Sequence, residues 1–309
     1  MAILFCSAVD SAARWQAEIG RLVPQREFRI WPQIGDPAAI DYAIVWRPPP
    51  GLLASLPALK LILSLGAGVD HLLRDPQLPR DIPVVRLVDP YLSAAMSEFV
   101  ALAVLRLHRR DLDYLAQQRA RQWSELAQKN AAERPVGILG FGTIGQEAGR
   151  MLQALGFPVA GWSRSAKSIP GVTTYAGADG LAALLAISEI LVCLLPLTPE
   201  TEGILNARTL AQLPRGAGLV NAGRGGHLVE ADLIPALASG QLSGAVLDVF
   251  RDEPLPPTHP FWQHPRIVVT PHIAGVTNPA TAAAIIVDAI RRFEAGLPFA
   301  NIVDLARGY

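Results

Sequence analysis

The sequence predicts an α/β protein of two domains, each a parallel sheet wrapped by helices, on three observations. Short apolar runs alternate with segments of helical periodicity from Ala2 to Thr270, the pattern of strands joined by crossover helices. One run, Val136–Leu139, leads into Gly140-Phe141-Gly142-Thr143-Ile144-Gly145, and Gln146–Leu155 follows with Ala148, Met151, Leu152 and Leu155 at helical spacing. The chain, at 309 residues, is also long for one hydrophobic core.

Taken in order, Ala2–Cys6 reads as a strand and Ser11–Leu22 as a helix with Ala12, Trp15, Ile19 and Leu22 on one face. Phe28–Trp31 is a strand closed by Pro32, and Tyr42–Trp46 is one ended by Pro48-Pro49-Pro50, since proline cannot continue a ladder. Gly51–Leu56 is a helical turn or two, Leu61–Leu65 a buried strand running into Gly66-Ala67-Gly68-Val69-Asp70, and Pro83–Val88 a further strand. One long helix is expected from Ala94 to about Arg121, its stripe formed by Phe99, Leu102, Ala103, Leu105 and Leu112. Lys129–Pro135 is a polar loop. Strands then follow at Val136–Leu139, Val159–Trp162, Ile190–Leu195, Gly218–Asn221, Gly244–Val249 and Ile267–Thr270, with helices at Leu181–Leu185, Thr209–Leu213 and Glu230–Ser239 between them. These six strands fit a Rossmann-type doubly wound sheet. Pro279–Glu294 is an amphipathic helix placed to pack back on the first domain. The expected division is 1–95 plus 279–309 as a smaller flavodoxin-like substrate domain, and 96–278 as a dinucleotide-binding domain.

Composition excludes several classes. Lys and Arg number 27, as do Asp and Glu, so the net charge is zero and nothing electrostatic favours nucleic acid or an anionic membrane as partner. Cys6 and Cys193 sit inside apolar runs, as core cysteines do, with no disulfide, metal site or nucleophile indicated. Ala2–Cys6 is too short for a signal-peptide core, and no apolar run approaches membrane-spanning length. The expectation is a cytoplasmic protein.

The glycine turn explains itself through chemistry. Gly140 permits the tight turn, Gly142 lets backbone approach a pyrophosphate, and Gly145 lets helix pack close on strand, while the helix N-terminus offers unpaired N–H groups to phosphate. An acidic residue about 20 positions on, at the end of the second strand, selects NAD(H) through the ribose 2′-OH. Here that stretch is Gly161-Trp162-Ser163-Arg164-Ser165-Ala166-Lys167, with no Asp or Glu. A guanidinium suits a 2′-phosphate, so NADP(H) is expected over NAD(H), with Arg164 the main determinant and Ser163 and Lys167 assisting.

Ligands of such sheets lie beyond the carboxyl ends of the strands, and three successive strand ends carry reactive groups: Arg224 in Asn221-Ala222-Gly223-Arg224-Gly225-Gly226, Glu253 in Asp252-Glu253-Pro254-Leu255-Pro256, and His272 in Thr270-Pro271-His272-Ile273-Ala274-Gly275. Reduction of a 2-keto acid needs a proton donor for the carbonyl oxygen, which histidine supplies near neutral pH. It also needs a clamp for the carboxylate, which arginine binds bidentately. His272 is thus the acid/base, Glu253 its orienting partner and Arg224 the clamp.

With these residues in view, the chain resembles the D-isomer-specific 2-hydroxyacid dehydrogenases over nearly its full length. The motifs are Gly140–Gly145, Leu195-Pro196-Leu197-Thr198-Pro199-Glu200-Thr201, Asn221–Gly225, Leu247–Phe250 with Glu253-Pro254-Leu255, and Pro271-His272. The resemblance implies the same Arg–Glu–His set. It implies cofactor contacts from Gly140, Gly142, Thr143, Ile144, Gly145, Trp162, Ser163, Arg164, Lys167, Leu195, Pro196, Thr201, Ala222, Asp248 and Gly275. Substrate contacts are implied for Trp46 and Arg224, and for the N–H groups of Ala67, Gly68 and Val69. Val45-Trp46-Arg47-Pro48-Pro49, Trp162-Ser163-Arg164 and the ending Ala306-Arg307-Gly308-Tyr309 are most similar to the glyoxylate/hydroxypyruvate reductase A branch. That branch implies a homodimer that uses NADPH to reduce glyoxylate to glycolate and hydroxypyruvate to D-glycerate. Trp123 lies near a Trp that in related enzymes reaches the partner subunit's site; in this chain it is that residue or a core one. The sequence leaves open a bulkier 2-keto acid, and a non-catalytic dinucleotide sensor as a different class; retention of Arg224, Glu253 and His272 argues against the sensor.

Overall fold

The computed structural model describes residues 1–305, so the ending Ala306-Arg307-Gly308-Tyr309 lies outside the described residues. Contacts divide the chain into two units, Met1–Leu92 with the segment from Thr277 onward, and Ser93–Val276. In chain order the first unit runs β1 (Ala2–Ser7), α1 (Ala12–Leu22), β2 (Glu27–Ile30), β3 (Ile40–Trp46), β4 (Leu61–Ser64), α2 (Asp70–Leu73) and β5 (Val84–Arg86). Next come α3 (Pro90–His108), α4 (Asp111–Ala120), β6 (Val136–Leu139), α5 (Thr143–Ala154), β7 (Val159–Ser163), β8 (Thr173–Ala176) and α6 (Gly177–Ile187). The remainder is β9 (Ile190–Cys193), α7 (Ala207–Leu210), β10 (Ala217–Asn221), α8 (Glu230–Ala238), β11 (Leu242–Leu247), β12 (Ile267–Val269) and α9 (Pro279–Glu294).

The first sheet is parallel in the order β2-β1-β3-β4-β5, the flavodoxin-like arrangement. Its central strands β1, β3 and β4 are almost wholly apolar because both faces are covered. Ile3, Phe5, Tyr42, Ile44, Leu61 and Leu63 pack with Trp15 and Ile19 of α1 and with Ala283, Ile286 and Ile290 of α9. The alternate residues Leu4, Ala43, Val45 and Ile62 enter a second cluster with Leu53, Leu72 and Leu78. Helix α9 starts cleanly: Asn278 accepts a hydrogen bond from the Ala280 N–H (3.1 Å) and Pro279 holds the first helical position, where its missing N–H costs nothing.

The second sheet is parallel in the order β12-β11-β10-β9-β6-β7-β8. The chain reverses direction across it between β6 and β9, the switch point where doubly wound sheets take their ligands. The sequence predicts six strands here and the structure has a seventh, β8, at the edge. Its residues Thr-Thr-Tyr-Ala are short, polar and only partly buried, so it shows no apolar run.

Two expectations about the connecting segment need correction. The single helix to Arg121 is two helices: α3 ends at His108, Arg110 takes a left-handed φ of 59°, and Asp111 and Asp113 occupy the first turn of α4, where acidic residues favour a new helix N-terminus. Helix α3 is also long and apolar enough to cross a membrane, with mean hydropathy 1.3, contrary to the expectation that no run approaches that length. Half of that window is buried, and Val100, Ala103, Val104 and Leu107 pack against Ile138, Val192, Val220 and Val246 of the second sheet. Trp123 is fully exposed, which removes the core alternative for it.

Candidate functional site

The glycine turn joins β6 to α5 at the switch point. Gly140 has a left-handed φ of 93°, and a side chain there would come within 2.6 Å of the Leu194 carbonyl, so crowding by the chain explains it. Gly145 is equally constrained, since a Cβ would run into the Gly140 carbonyl. Gly142 is different. Its φ is −83° and a Cβ would meet nothing within 4 Å among the described residues. No crowding among them requires glycine at 142, but backbone approach by a phosphate would. Behind it, α5 presents its first-turn N–H groups, including those of Thr143 and Ile144, without intrahelical partners. This turn fits the pyrophosphate of a dinucleotide.

At the end of β7, Trp162 Nε1 donates to the Gly177 carbonyl (2.9 Å) and Ser163 Oγ to the Ser165 carbonyl (2.9 Å). These bonds shape the loop that carries Arg164. Lys167, expected beside Arg164 at the 2′ position, gives an ammonium hydrogen to the Phe141 carbonyl inside the glycine turn (2.8 Å). It adds positive charge to the turn and braces it. Glu200 lies within electrostatic reach of Arg164. Its carboxyl is held below the usual range, chiefly by a hydrogen bond from the Thr198 hydroxyl and least by Arg164.

Beyond β9, β10, β11 and β12 the other groups gather. His272 Nδ1 and Glu253 Oε2 are 2.8 Å apart, and Glu253 Oε1 accepts the Phe250 N–H (2.9 Å). One oxygen of Glu253 is thus fixed by its own loop while the other orients the imidazole. His272 has a left-handed φ of 56°, a conformation a non-glycine residue keeps only where its surroundings impose it. Asp248 imposes it. Its carboxylate, buried, accepts from Thr270 Oγ1 (2.6 Å), Ile273 N–H (2.9 Å) and Ala274 N–H (2.8 Å), and its carbonyl accepts the His272 N–H (2.8 Å). Burial pushes the Asp248 carboxyl above the ordinary value, against the pull of these donors. The resemblance implies a cofactor contact for Asp248. In this structure its carboxylate braces the Thr270–Gly275 loop.

Arg224 lies in the turn after β10. Its Nη1 donates to the Gly223 carbonyl (2.9 Å), and its own carbonyl accepts from Asn221 Nδ2 (3.1 Å). Gly225 lets this turn touch the Glu253 loop directly, because a side chain there would overlap the Phe250–Arg251 peptide. Thus the Arg224 turn, the Glu253 loop and, through the Glu253–His272 bond, the His272 loop are one packed unit. Ala222 is buried, with its N–H on the Cys193 carbonyl (3.2 Å). The turn after β9 is stapled by Thr201 Oγ1, which donates to the Pro196 carbonyl (2.7 Å) and accepts the Thr198 N–H (2.8 Å); Leu195 precedes it, buried.

In the first unit, β4 runs into the turn Gly66–Val69, and Val69 caps α2. Gly66 is pressed against the Trp46 indole so closely that a Cβ would strike the ring. The His71 ring lies 4.4 Å from Trp46 by centroids, and the Arg47 guanidinium 5.8 Å over it, with Arg47 at φ 49°. Trp46 therefore walls the turn whose Ala67, Gly68 and Val69 N–H groups are the expected carboxylate donors.

Sequence reasoning missed His227, which bonds to both the Arg224 turn and the Pro196 carbonyl. The one signal was a histidine among glycines directly after Arg224.

Fold and glycine turn define a Rossmann-type dinucleotide-binding protein. The model of the family described as D-isomer specific 2-hydroxyacid dehydrogenase, NAD binding domain, matches residues 101–274. The glyoxylate/hydroxypyruvate reductase A of Serratia proteamaculans is 44% identical, over 100% of both chains. A D-isomer specific 2-hydroxyacid dehydrogenase from Xanthobacter autotrophicus Py2, solved with NADPH and MES, is 46% identical with a TM-score of 0.94, covering 100% of this chain and 99% of that one. An NADPH-dependent glyoxylate/hydroxypyruvate reductase from Sinorhizobium meliloti, solved with NADP and sulfate, is 43% identical with a TM-score of 0.94 over 100% of both chains. The chain belongs to the D-isomer-specific 2-hydroxyacid dehydrogenase family.

Proposed function

We propose that this chain is an NADPH-dependent reductase of small 2-keto acids, taking glyoxylate to glycolate and hydroxypyruvate to D-glycerate. The observation that carries the reading is the His272–Glu253 pair at 2.8 Å, packed through Gly225 onto the Arg224 turn at the carboxyl rim of the second sheet. Relatives 43–44% identical over the full chain carry the same activity in their names.

Bound NADPH supplies the hydride for the carbonyl carbon. Gly142 and the first turn of α5 hold its pyrophosphate, and Arg164 with Ser163 reads the adenosine 2′-phosphate. Arg224 binds the substrate carboxylate and polarises the carbonyl. With Nδ1 on Glu253, Nε2 of His272 delivers the proton to the carbonyl oxygen. Residues 1–95 with 279–309 serve as substrate domain and 96–278 as dinucleotide-binding domain. The chain acts as a cytoplasmic homodimer without nucleic-acid or membrane partners; the exposed Trp123, Tyr114 and Leu115 on and after α4 support the dimer.

The deciding experiment follows absorbance at 340 nm with NADPH or NADH against a panel of 2-keto acids. Glyoxylate and hydroxypyruvate should turn over best, with NADPH. Preference for a bulkier keto acid, or binding of NADPH without turnover of any, would overturn the reading.

A further inference from the structure

The imidazole of His227 stands where two rim turns meet. It is wholly buried in a run of glycines, where an apolar side chain would be the easier occupant unless polar bonds were needed. Each ring nitrogen bonds to a different turn. The Arg224 N–H lies 3.0 Å from Nδ1. A backbone amide can only donate, so Nδ1 accepts and the ring's proton sits on Nε2. Nε2 therefore donates to the Pro196 carbonyl, 3.2 Å away. That carbonyl also receives the Thr201 hydroxyl, which fastens the rest of its turn. The Arg224 turn makes room for the ring: a side chain on Gly223 would come within 3.0 Å of Cε1 and Nδ1. The His227 N–H adds a bond to the Arg224 carbonyl (3.1 Å).

We propose that His227 is a positioning residue that locks the Arg224 turn, on the keto-acid side, to the Pro196–Thr201 turn, on the cofactor side, through one imidazole protonated on Nε2. The proposal rests on the functional reading above. A group that merely filled space would need neither bond, and one bond alone would leave the two turns independent. The ring makes the placement of the carboxylate clamp depend on the placement of the turn expected to meet the cofactor.

Two substitutions separate the bonds. His227→Asn puts an amide oxygen near the place of Nδ1, so the Arg224 N–H keeps its acceptor, while the Pro196 carbonyl loses the bond from residue 227 and keeps only that from Thr201. His227→Gln puts an amide N–H near the place of Nε2, with the opposite outcome. Dissociation constants are measured for NADPH by its fluorescence and for the unreactive keto-acid analogue oxamate by calorimetry, with KM and kcat for glyoxylate and the unfolding midpoint of each variant. His227→Gln should weaken oxamate and raise the glyoxylate KM about tenfold, the factor one lost buried hydrogen bond represents, and lower kcat. Its NADPH affinity should stay within about twofold of wild type. His227→Asn should weaken NADPH about tenfold and change oxamate less. Either variant, if folded, suffices. Equal shifts of both ligands in each variant, or loss of thermal stability with all constants unchanged, overturn the proposal while the functional reading stands. A wild-type chain that reduces no 2-keto acid overturns that reading and the proposal with it.

Discussion

One polar cluster in the first sheet's unit closes on itself, side chain to side chain, whereas three buried polar groups at the rim of the second sheet are bonded to loop backbone. In the first unit the Tyr42 hydroxyl donates to Glu294 (2.7 Å), Arg26 bonds to the same carboxylate and lies 5.2 Å over the Tyr42 ring, and Lys60 pairs with Asp41 (2.7 Å). These pairs join α9 and the strand edges to the sheet. At the second rim, Asn221, His227 and Asp248 are buried at 1% exposure or less, and each bonds to the main chain of a turn. The first arrangement stabilises an element and leaves nothing over. The second fixes the backbone that carries Arg224, Glu253 and His272, whose reactive ends it does not consume. The cluster around Glu294 and the rim of the second sheet thus differ in what their polar groups are for: one holds the fold, the other aims side chains.

The sharpest break between the two is His272→Ala. On the proposed mechanism it should lower kcat by about 10²–10⁴, the range for loss of a general acid. The unfolding midpoint should barely move, because the side chain is 28% exposed and its partner Glu253 keeps the Phe250 N–H. Turnover near the wild-type rate would remove His272 from the chemistry.

Asp248→Asn tests whether the rim really aims. One carboxylate oxygen takes two donors and the other takes one, so an amide N–H must face a donor whichever way it turns. The expected cost is about 1–3 kcal/mol of stability, with a fall in kcat as His272 leaves its left-handed conformation. A kcat equal to wild type alongside the stability loss would show that the His272 loop does not depend on this brace.

Arg164→Ala addresses the cofactor end. A charge-assisted hydrogen bond contributes about 1.5–3 kcal/mol, so the KM for NADPH should rise about tenfold or more while that for NADH changes little. Equal effects on both cofactors would leave the 2′-phosphate assignment without support.

Sequence made legible what rests on periodicity or on a fixed spacing. The glycine turn carries both, as does each strand that is apolar along its length, because parallel strands are buried on two faces. The Arg, Glu and His were visible because each follows a clear strand. The rest failed for physical reasons. Strand β8 is a polar edge strand and has no apolar run to announce it. The break at Arg109–Arg110 depends on one left-handed residue that propensity does not forbid. Lys167 on the Phe141 carbonyl, Glu200 near Arg164 and His227 on the Pro196 carbonyl pair residues across 26 to 36 positions of chain, and no local pattern encodes such pairings.

The counterpart in the first unit is Glu294→Gln, the smallest effect expected. Burial raises the Glu294 carboxyl, but hydrogen bonds from Tyr42 and Arg26 outweigh it and hold the group below its usual value. The Tyr42 hydroxyl is pushed up to about 12, chiefly by burial and then by its bond to Glu294. A carboxyl depressed on folding adds stability that is present above the ordinary glutamate range, about 4.3, and lost as pH falls through that range toward the folded value. Wild type should therefore exceed Glu294→Gln in its free energy of unfolding by urea at pH 7, by about 1 kcal/mol for a partly exposed pair. The gap should close between about pH 5 and pH 3, with kcat for glyoxylate unchanged throughout. A gap that persisted at pH 3 would mean the side chain's packing, not its charge, holds α9, and a fall in kcat would tie the first unit's polar cluster to turnover.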